Sequence, residues 1–120
     1  MADILDIDKI KTMLQDFADQ REWNQFHNPK NLAMSLASEA GEMLEIFRWM
    51  PESESTQAYQ EKALQQKVAH ELADISLNLI RLAGLMQVNL SEAIRDKMSI
   101  IEQRYPVALV KGSCKKYDEY

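Results

Sequence analysis

Four acidic residues fall into two pairs of the same form, Glu39-Ala-Gly-Glu42 and Glu71-Leu-Ala-Asp74. An i,i+3 spacing puts both side chains of a pair on one helix face, about a turn apart. Four carboxylates brought together without a cation would repel by roughly 4 kcal/mol per close pair at an effective dielectric of about 20. A hard divalent ion removes that penalty, and an all-oxygen donor set favours Mg²⁺, Mn²⁺ or Ca²⁺ over zinc. The two pairs therefore predict a helical metal site suited to phosphate chemistry.

The elements that must position them read as helices. Ile7, Ile10, Leu14, Phe17 and Ala18 recur at helical spacing and predict a first helix over about Asp6 to Arg21. Glu22-Trp23-Asn24-Gln25-Phe26-His27 breaks that pattern, and Asn28-Pro29 supplies an N-cap and a first-turn proline for a second helix. That helix is expected to run to about Met50, where Pro51 stops it. Glu52 to Gln57 reads as a polar, acidic loop in which Ser55 or Thr56 caps a long third helix, about Gln57 to Gln87. Asn89-Leu90-Ser91-Glu92 has the form of a capping box for a fourth helix ending near Tyr105, before Pro106. From Val107 the tail shows no period and is expected to be extended. A weak internal repeat, Ala37 to Glu42 against Ala69 to Asp74, suits a helical hairpin that presents two similar ends to one metal cluster.

Helical acids usually face water, so their angular positions matter. At about 100° per residue, Glu39 lies within the apolar stripe of Leu32, Leu36, Met43, Ile46 and Phe47. Glu42 lies at that stripe's edge, and Glu45 farther out. In the third helix Leu72 groups with Val68, Ile75, Leu79, Leu82 and Met86, with Glu71, Asn78 and Asp74 along its flank. An acid at a buried edge needs a partner. Arg48 or Arg81 would supply one in a purely structural ion-pair network; a cation would serve all four acids.

With 120 residues, 46% hydrophobic content, three glycines and three prolines, the chain is expected to form one all-α domain over residues 1–120, with 106–120 as its tail. A net charge of −5 argues against a duplex nucleic-acid binder. The lone Cys114 excludes an intrachain disulfide, the acidic N-terminus lacks a leader pattern, and no apolar run approaches membrane length. The expectation is a soluble, cytoplasmic protein without a membrane partner. The seven methionines read as core filler. Four helices with wide apolar faces exceed what one short chain covers, which points to homo-oligomerisation.

Glu39-x-x-Glu42, a 28-residue gap, then Glu71-x-x-Asp74 resembles the metal signature of the MazG-like all-α nucleotide pyrophosphohydrolases. Trp23-x-x-Phe26-His27-x-Pro29, Glu45-Ile46-Phe47-Arg48-Trp49, and Lys97-Met98 through Arg104-Tyr105-Pro106 to Lys115-Lys116-Tyr117 extend the likeness over nearly the whole chain, most of all to the dCTP pyrophosphatase type. The resemblance implies a four-helix-bundle-like fold completed by subunit pairing, as a homodimer or a homotetramer built as a dimer of dimers. It also implies Mg²⁺-dependent hydrolysis (with Mn²⁺ as an alternative ion) of nucleoside triphosphates, dCTP and other deoxynucleotides among them, to monophosphate and pyrophosphate, a house-cleaning of the nucleotide pool. It makes Glu39, Glu42, Glu71 and Asp74 the metal ligands, and Trp23, Asn24, Gln25, Phe26, His27 and Trp49 nucleotide contacts. Leu14 and Asn78 stand where that type carries a His and a Tyr of the nucleoside pocket, and Ser99, Ile101 and Glu102 where it carries Asp, Asn and Arg.

In this chemistry Glu42 or Glu45 would take the proton of an attacking water. Trp23 and Trp49 offer stacking faces. His27 offers a hydrogen bond, and Lys97, Arg104, Lys111, Lys115 and Lys116 offer charge to the phosphates. A di-iron bundle would need Glu-x-x-His motifs, which are absent. A phosphoribosyl-ATP pyrophosphohydrolase and a non-enzymatic helical interaction module are the other readings.

Overall fold

The computed structural model describes residues 5–114, which form helices and turns with no strand among them. The helices are α1 (Ile7–Gln20), α2 (Pro29–Phe47), α3 (Glu52–Gln57), a 3₁₀ turn (Ala58–Gln60), α4 (Lys62–Leu85), α5 (Leu90–Arg104) and α6 (Val107–Val110). Local chemistry sets the starts of three of them. Asp6 accepts from the Lys9 amide at 3.0 Å, Asn28 from that of Asn31 at 2.9 Å, and Asn89 from that of Glu92 at 3.1 Å. Each side chain satisfies one of the amides that a helix start leaves without a partner.

The chain divides into two compact units, residues 1–87 and 88–120. In the first, α2 and α1 both pack on α4. Glu39 meets Glu71, whereas Phe47 shares a cavity wall with Gln65 and Val68, so α2 and α4 run antiparallel. Gln15 meets Arg81 and Lys11 meets Gly84, so α1 is antiparallel to α4 as well. The centre of this unit is narrow: Ala18, Leu32, Ile80 and Arg81 are the buried residues. The second unit holds α5 and α6, and on α5 Ile94, Met98, Ile100 and Ile101 are all exposed.

Several sequence expectations are corrected. The expected acidic loop at 52–57 is helical, with Glu52 and Glu54 in its first turn, where the helix dipole favours negative charge. Ser55 and Thr56 do not cap the long helix; both hydroxyls donate to the Glu52 carbonyl inside α3. The long helix starts at Lys62 rather than Gln57, because the 3₁₀ turn intervenes. The segment 107–110 is a short helix rather than extended chain; Lys115, Lys116 and Tyr117 lie outside the described residues. Met13, Met34, Met86 and Met98 are exposed rather than core filler.

The largest revision concerns α4. Its covered face is Leu64, Val68, Glu71, Ile75, Asn78, Leu82 and Leu85, whereas Leu72, Leu79 and Met86 stand exposed on a second stripe. Apolar periodicity registers both stripes and does not say which one a single chain covers.

Candidate metal centre and its flanking aromatic turn

Glu39 and Glu42 project from α2, Glu71 from α4, and one carboxylate oxygen of each lies within 4.8 Å of the others. Glu39 and Glu71 are half-buried; Glu42 is exposed. Within the pair from the two helices, Glu39 Oε2 and Glu71 Oε2 are buried with no hydrogen-bond partner. With no other donor at hand, a proton that Glu39 shares with the Glu71 carboxylate first and with Glu42 next, then burial, push the Glu39 carboxyl up to about 7. The charge of Asp74 acts in the same direction, although its carboxylate lies outside the 4.8 Å group.

This arrangement fits a hard divalent cation. Oxygens bound to one Mg²⁺ or Ca²⁺ at about 2.0–2.6 Å stand at most about 5 Å apart, the spacing found here. Such an ion would also answer the two partnerless oxygens, which otherwise cost free energy. No arginine performs that task among the described residues. Arg48 pairs with Glu45 at 2.8 Å on the surface, and Arg81 turns to Gln15, Asn24 and His27. The ion-pair alternative for the acids is thereby removed. Glu45 is held by that pair, outside the three-carboxylate group.

The aromatic turn has its own local logic. The Trp23 amide donates to Ala18 O at 2.9 Å and the Glu22 amide to Asp19 O at 3.2 Å, with Glu22 left-handed at φ 55. This is a Schellman C-cap, in which the residue after the left-handed position packs back on the last turn. Trp23 does so against Phe17, edge to face at 5.6 Å, and the Arg21 guanidinium lies 3.6 Å from the centre of the Phe17 ring. His27 meets Trp23 edge-on at 6.2 Å, and the Phe26 and His27 amides both return to Trp23 O. The Asn31 side chain donates to Phe26 O, tying the turn to α2. Trp23 and Phe26 keep exposed faces.

The remaining sequence candidates disperse. Trp49 is 81% exposed, with Arg48 4.5 Å from its ring centre. Asn24 is bonded within the protein, and Gln25 donates to Glu22 O. Asn78 donates back to Asp74 O at 3.0 Å, and Leu14 is half-buried on α1. Lys97 and Lys111 are exposed in the second unit. His70 contacts Gln66 and is not among the clustered ligands. Arg81, which the sequence offered only as an ion-pair partner for the acids, instead joins α4 to α1 and the aromatic turn; an arginine set between Ile80 and Leu82 was the available signal.

A family model matches residues 34–120, the span that holds both acid pairs, and its description is MazG-like. The chain belongs to the MazG-like family. It is 40% identical over 117 residues to dCTP pyrophosphatase 1 of Rattus norvegicus, covering 94% of this chain and 66% of that protein. To dCTP pyrophosphatase 1 of Homo sapiens it is 34% identical over 113 residues, with the same coverages. The chain thus spans slightly less than two thirds of these relatives' length. The crystal structure of a pyrophosphatase from Archaeoglobus fulgidus superposes with a TM-score of 0.78 at 32% identity, over 88% of this chain and 97% of that one. For a MazG-like chain the all-helical architecture is thereby accounted for. Among the described residues no helix is long and apolar enough to cross a membrane.

Proposed function

We propose that this chain hydrolyses nucleoside triphosphates, dCTP and other deoxynucleotides among them, to the monophosphate and pyrophosphate, as a nucleotide-pool house-cleaning enzyme. The observation that carries the reading is the pair of buried, partnerless oxygens on Glu39 and Glu71 within a three-carboxylate cluster. The dCTP pyrophosphatase relatives and the pyrophosphatase neighbour support it.

Glu39, Glu42 and Glu71 would hold Mg²⁺, or Mn²⁺ in its place, and Asp74, one turn on in α4, would join them as a fourth ligand. When bound, the ion neutralises phosphate oxygens and makes a water more acidic. Glu42 would be the preferred acceptor of a proton from an attacking water, because it is exposed at the cluster's edge and Glu45 is drawn away to Arg48. The open faces of Trp23, Phe26 and Trp49 suit stacking on a base. Leu14 and Asn78 tune the base pocket, and Lys97 and Lys111 offer charge to the phosphates.

The working form is a homodimer or a dimer of dimers. Leu72 and Leu79 on α4 and Met86 at its C-cap recur every seventh residue and are 50%, 38% and 56% exposed. A second copy of the chain covers this stripe, at roughly 25 cal/mol for each Å² of apolar surface removed from water.

A panel of ribo- and deoxynucleoside triphosphates with Mg²⁺, scored for pyrophosphate release, tests the activity. Release from at least one deoxynucleotide, lost with EDTA, is expected. No release from any member of the panel would overturn it.

A further inference from the structure

Among the described residues, the most deeply buried cation has no carboxylate of its own. Arg81 on α4 is 8% exposed, and no acidic group lies within ion-pair distance of it among the described residues. It instead donates to three neutral side chains: Gln15 Oε1 at 2.7 Å, Asn24 Oδ1 at 3.0 Å and His27 Nδ1 at 3.3 Å. The two amides relay its charge. Gln15 Nε2 and Asn24 Nδ2 each donate to Asp19 Oδ1 at 2.7 Å, and Gln15 Nε2 also reaches Asn24 Oδ1 at 2.9 Å. The counter-charge thus sits one amide away, on α1. An arrangement that leaves an arginine buried among neutral acceptors costs desolvation. It also couples α4, α1 and the aromatic turn through a single head group.

The consequence for His27 follows from donor counting. An arginine carries no acceptor and does not lose its proton, so its Nε–H must donate. His27 Nδ1 must then accept, and a neutral imidazole with an accepting Nδ1 carries its hydrogen on Nε2. A doubly protonated ring would set an N–H against the guanidinium. Burial and the Arg81 charge both hold the His27 pKa below its usual value, in agreement with the geometry.

We propose that Arg81 is a positioning residue that locks His27 as its Nε2–H tautomer, so that the aromatic turn presents a fixed hydrogen-bond donor beside Trp23. Resting on the reading of this turn as a nucleotide contact, the inference specifies what His27 recognises: an acceptor atom of the substrate, either a base carbonyl or ring nitrogen or a phosphate oxygen. A pocket wall that offers only a donor discriminates against an amino group in that place, because two donors then face one another unpaired.

Long-range ¹⁵N–¹H NMR of the histidine ring, on the whole chain at pH 8, tests the lock directly. A single Nε2–H pattern for His27 is expected in the native protein, and an Nδ1–H pattern or an averaged tautomer mixture would overturn the proposal. Arg81→Met, which keeps the buried volume, should release the tautomer and raise KM by about 10-fold, the worth of one hydrogen bond, with kcat changed far less. A rise equal for all bases identifies a phosphate oxygen as the acceptor; a rise that differs between bases identifies a base atom. An unchanged KM for every nucleotide overturns the positioning role. The nucleotide panel on the native chain separates the two readings: no pyrophosphate release from any nucleotide sinks the proposed reaction, whereas the native-state tautomer still decides Arg81.

Discussion

Glu39 and Glu71, on different helices, turn buried carboxylate oxygens into the α2–α4 contact, where no donor among the described residues reaches them. Ionising both acids so placed is opposed when no cation is bound, and the raised Glu39 carboxyl reflects that conflict. On the proposed reading the cluster costs stability in the metal-free protein, and a bound divalent ion would relieve it.

Glu39→Gln, Glu42→Gln, Glu71→Gln and Asp74→Asn should each lower turnover by at least about 100-fold, the scale of several kcal/mol of lost charge stabilisation. Helix content by circular dichroism should stay near native. Glu39→Gln should also raise the metal-free melting temperature, since it removes a repelling group. Substantial activity in two of these variants would falsify the ligand assignment.

The pH dependence of stability has a definite sign. The Glu39 carboxyl is raised from 4.5 to about 7 in the folded protein, so the folded chain binds this proton more tightly than the unfolded chain. That contribution is fully present below pH 4.5 and is lost as pH rises through about 7. Metal-free melting temperature should therefore carry a falling component across this interval, absent in Glu39→Gln. Mg²⁺ should bind with proton release near pH 6 and raise the melting temperature more as pH increases. Calorimetry in buffers of different ionisation enthalpy measures the proton count; uptake or no exchange of protons would contradict the shared-proton cluster.

Glu22 adopts φ 55 at the end of α1 without being glycine. Glu22→Gly should stabilise the protein by about 1 kcal/mol, because the left-handed conformation costs a side-chain-bearing residue roughly that much. Urea denaturation reads the change, and destabilisation would show that contacts of the Glu22 side chain outweigh the strain.

Leu79→Lys with Met86→Lys should dissociate the assembly by placing charge on the exposed α4 stripe. Sedimentation velocity is expected to move from a dimer or tetramer toward the 13.9 kDa chain. A native protein that already sediments as the monomer at all concentrations would refute the subunit-pairing proposal.

Base choice should respond to Leu14 and Asn78. The double variant Leu14→His with Asn78→Tyr adds hydrogen-bonding groups and aromatic area, and should narrow the substrate range toward cytosine. Discrimination of about 1–3 kcal/mol per group is expected in relative kcat/KM. An identical ranking of the four deoxynucleotides in both proteins would place these residues outside the base pocket.

The parts of this protein legible in its sequence are those decided within a turn or two of chain. The Asp6, Asn28 and Asn89 caps act over three residues, and the i,i+3 acid pairs share a face by helical geometry alone. Only tertiary packing decided which faces meet. Periodicity marked Leu72, Leu79 and Met86 as a core stripe, but α1 and α2 cover the adjacent face, because a helix with two apolar stripes has no local reason to prefer either. The same holds for Arg81: its partners lie 66, 57 and 54 residues away, so no local pattern could distinguish a positioning residue from a partner for the acids. Convergence of Glu39 with Glu71 was expected from their residue types, yet the partnerless oxygens that give the cluster its chemistry exist only once α2 lies against α4 and excludes water.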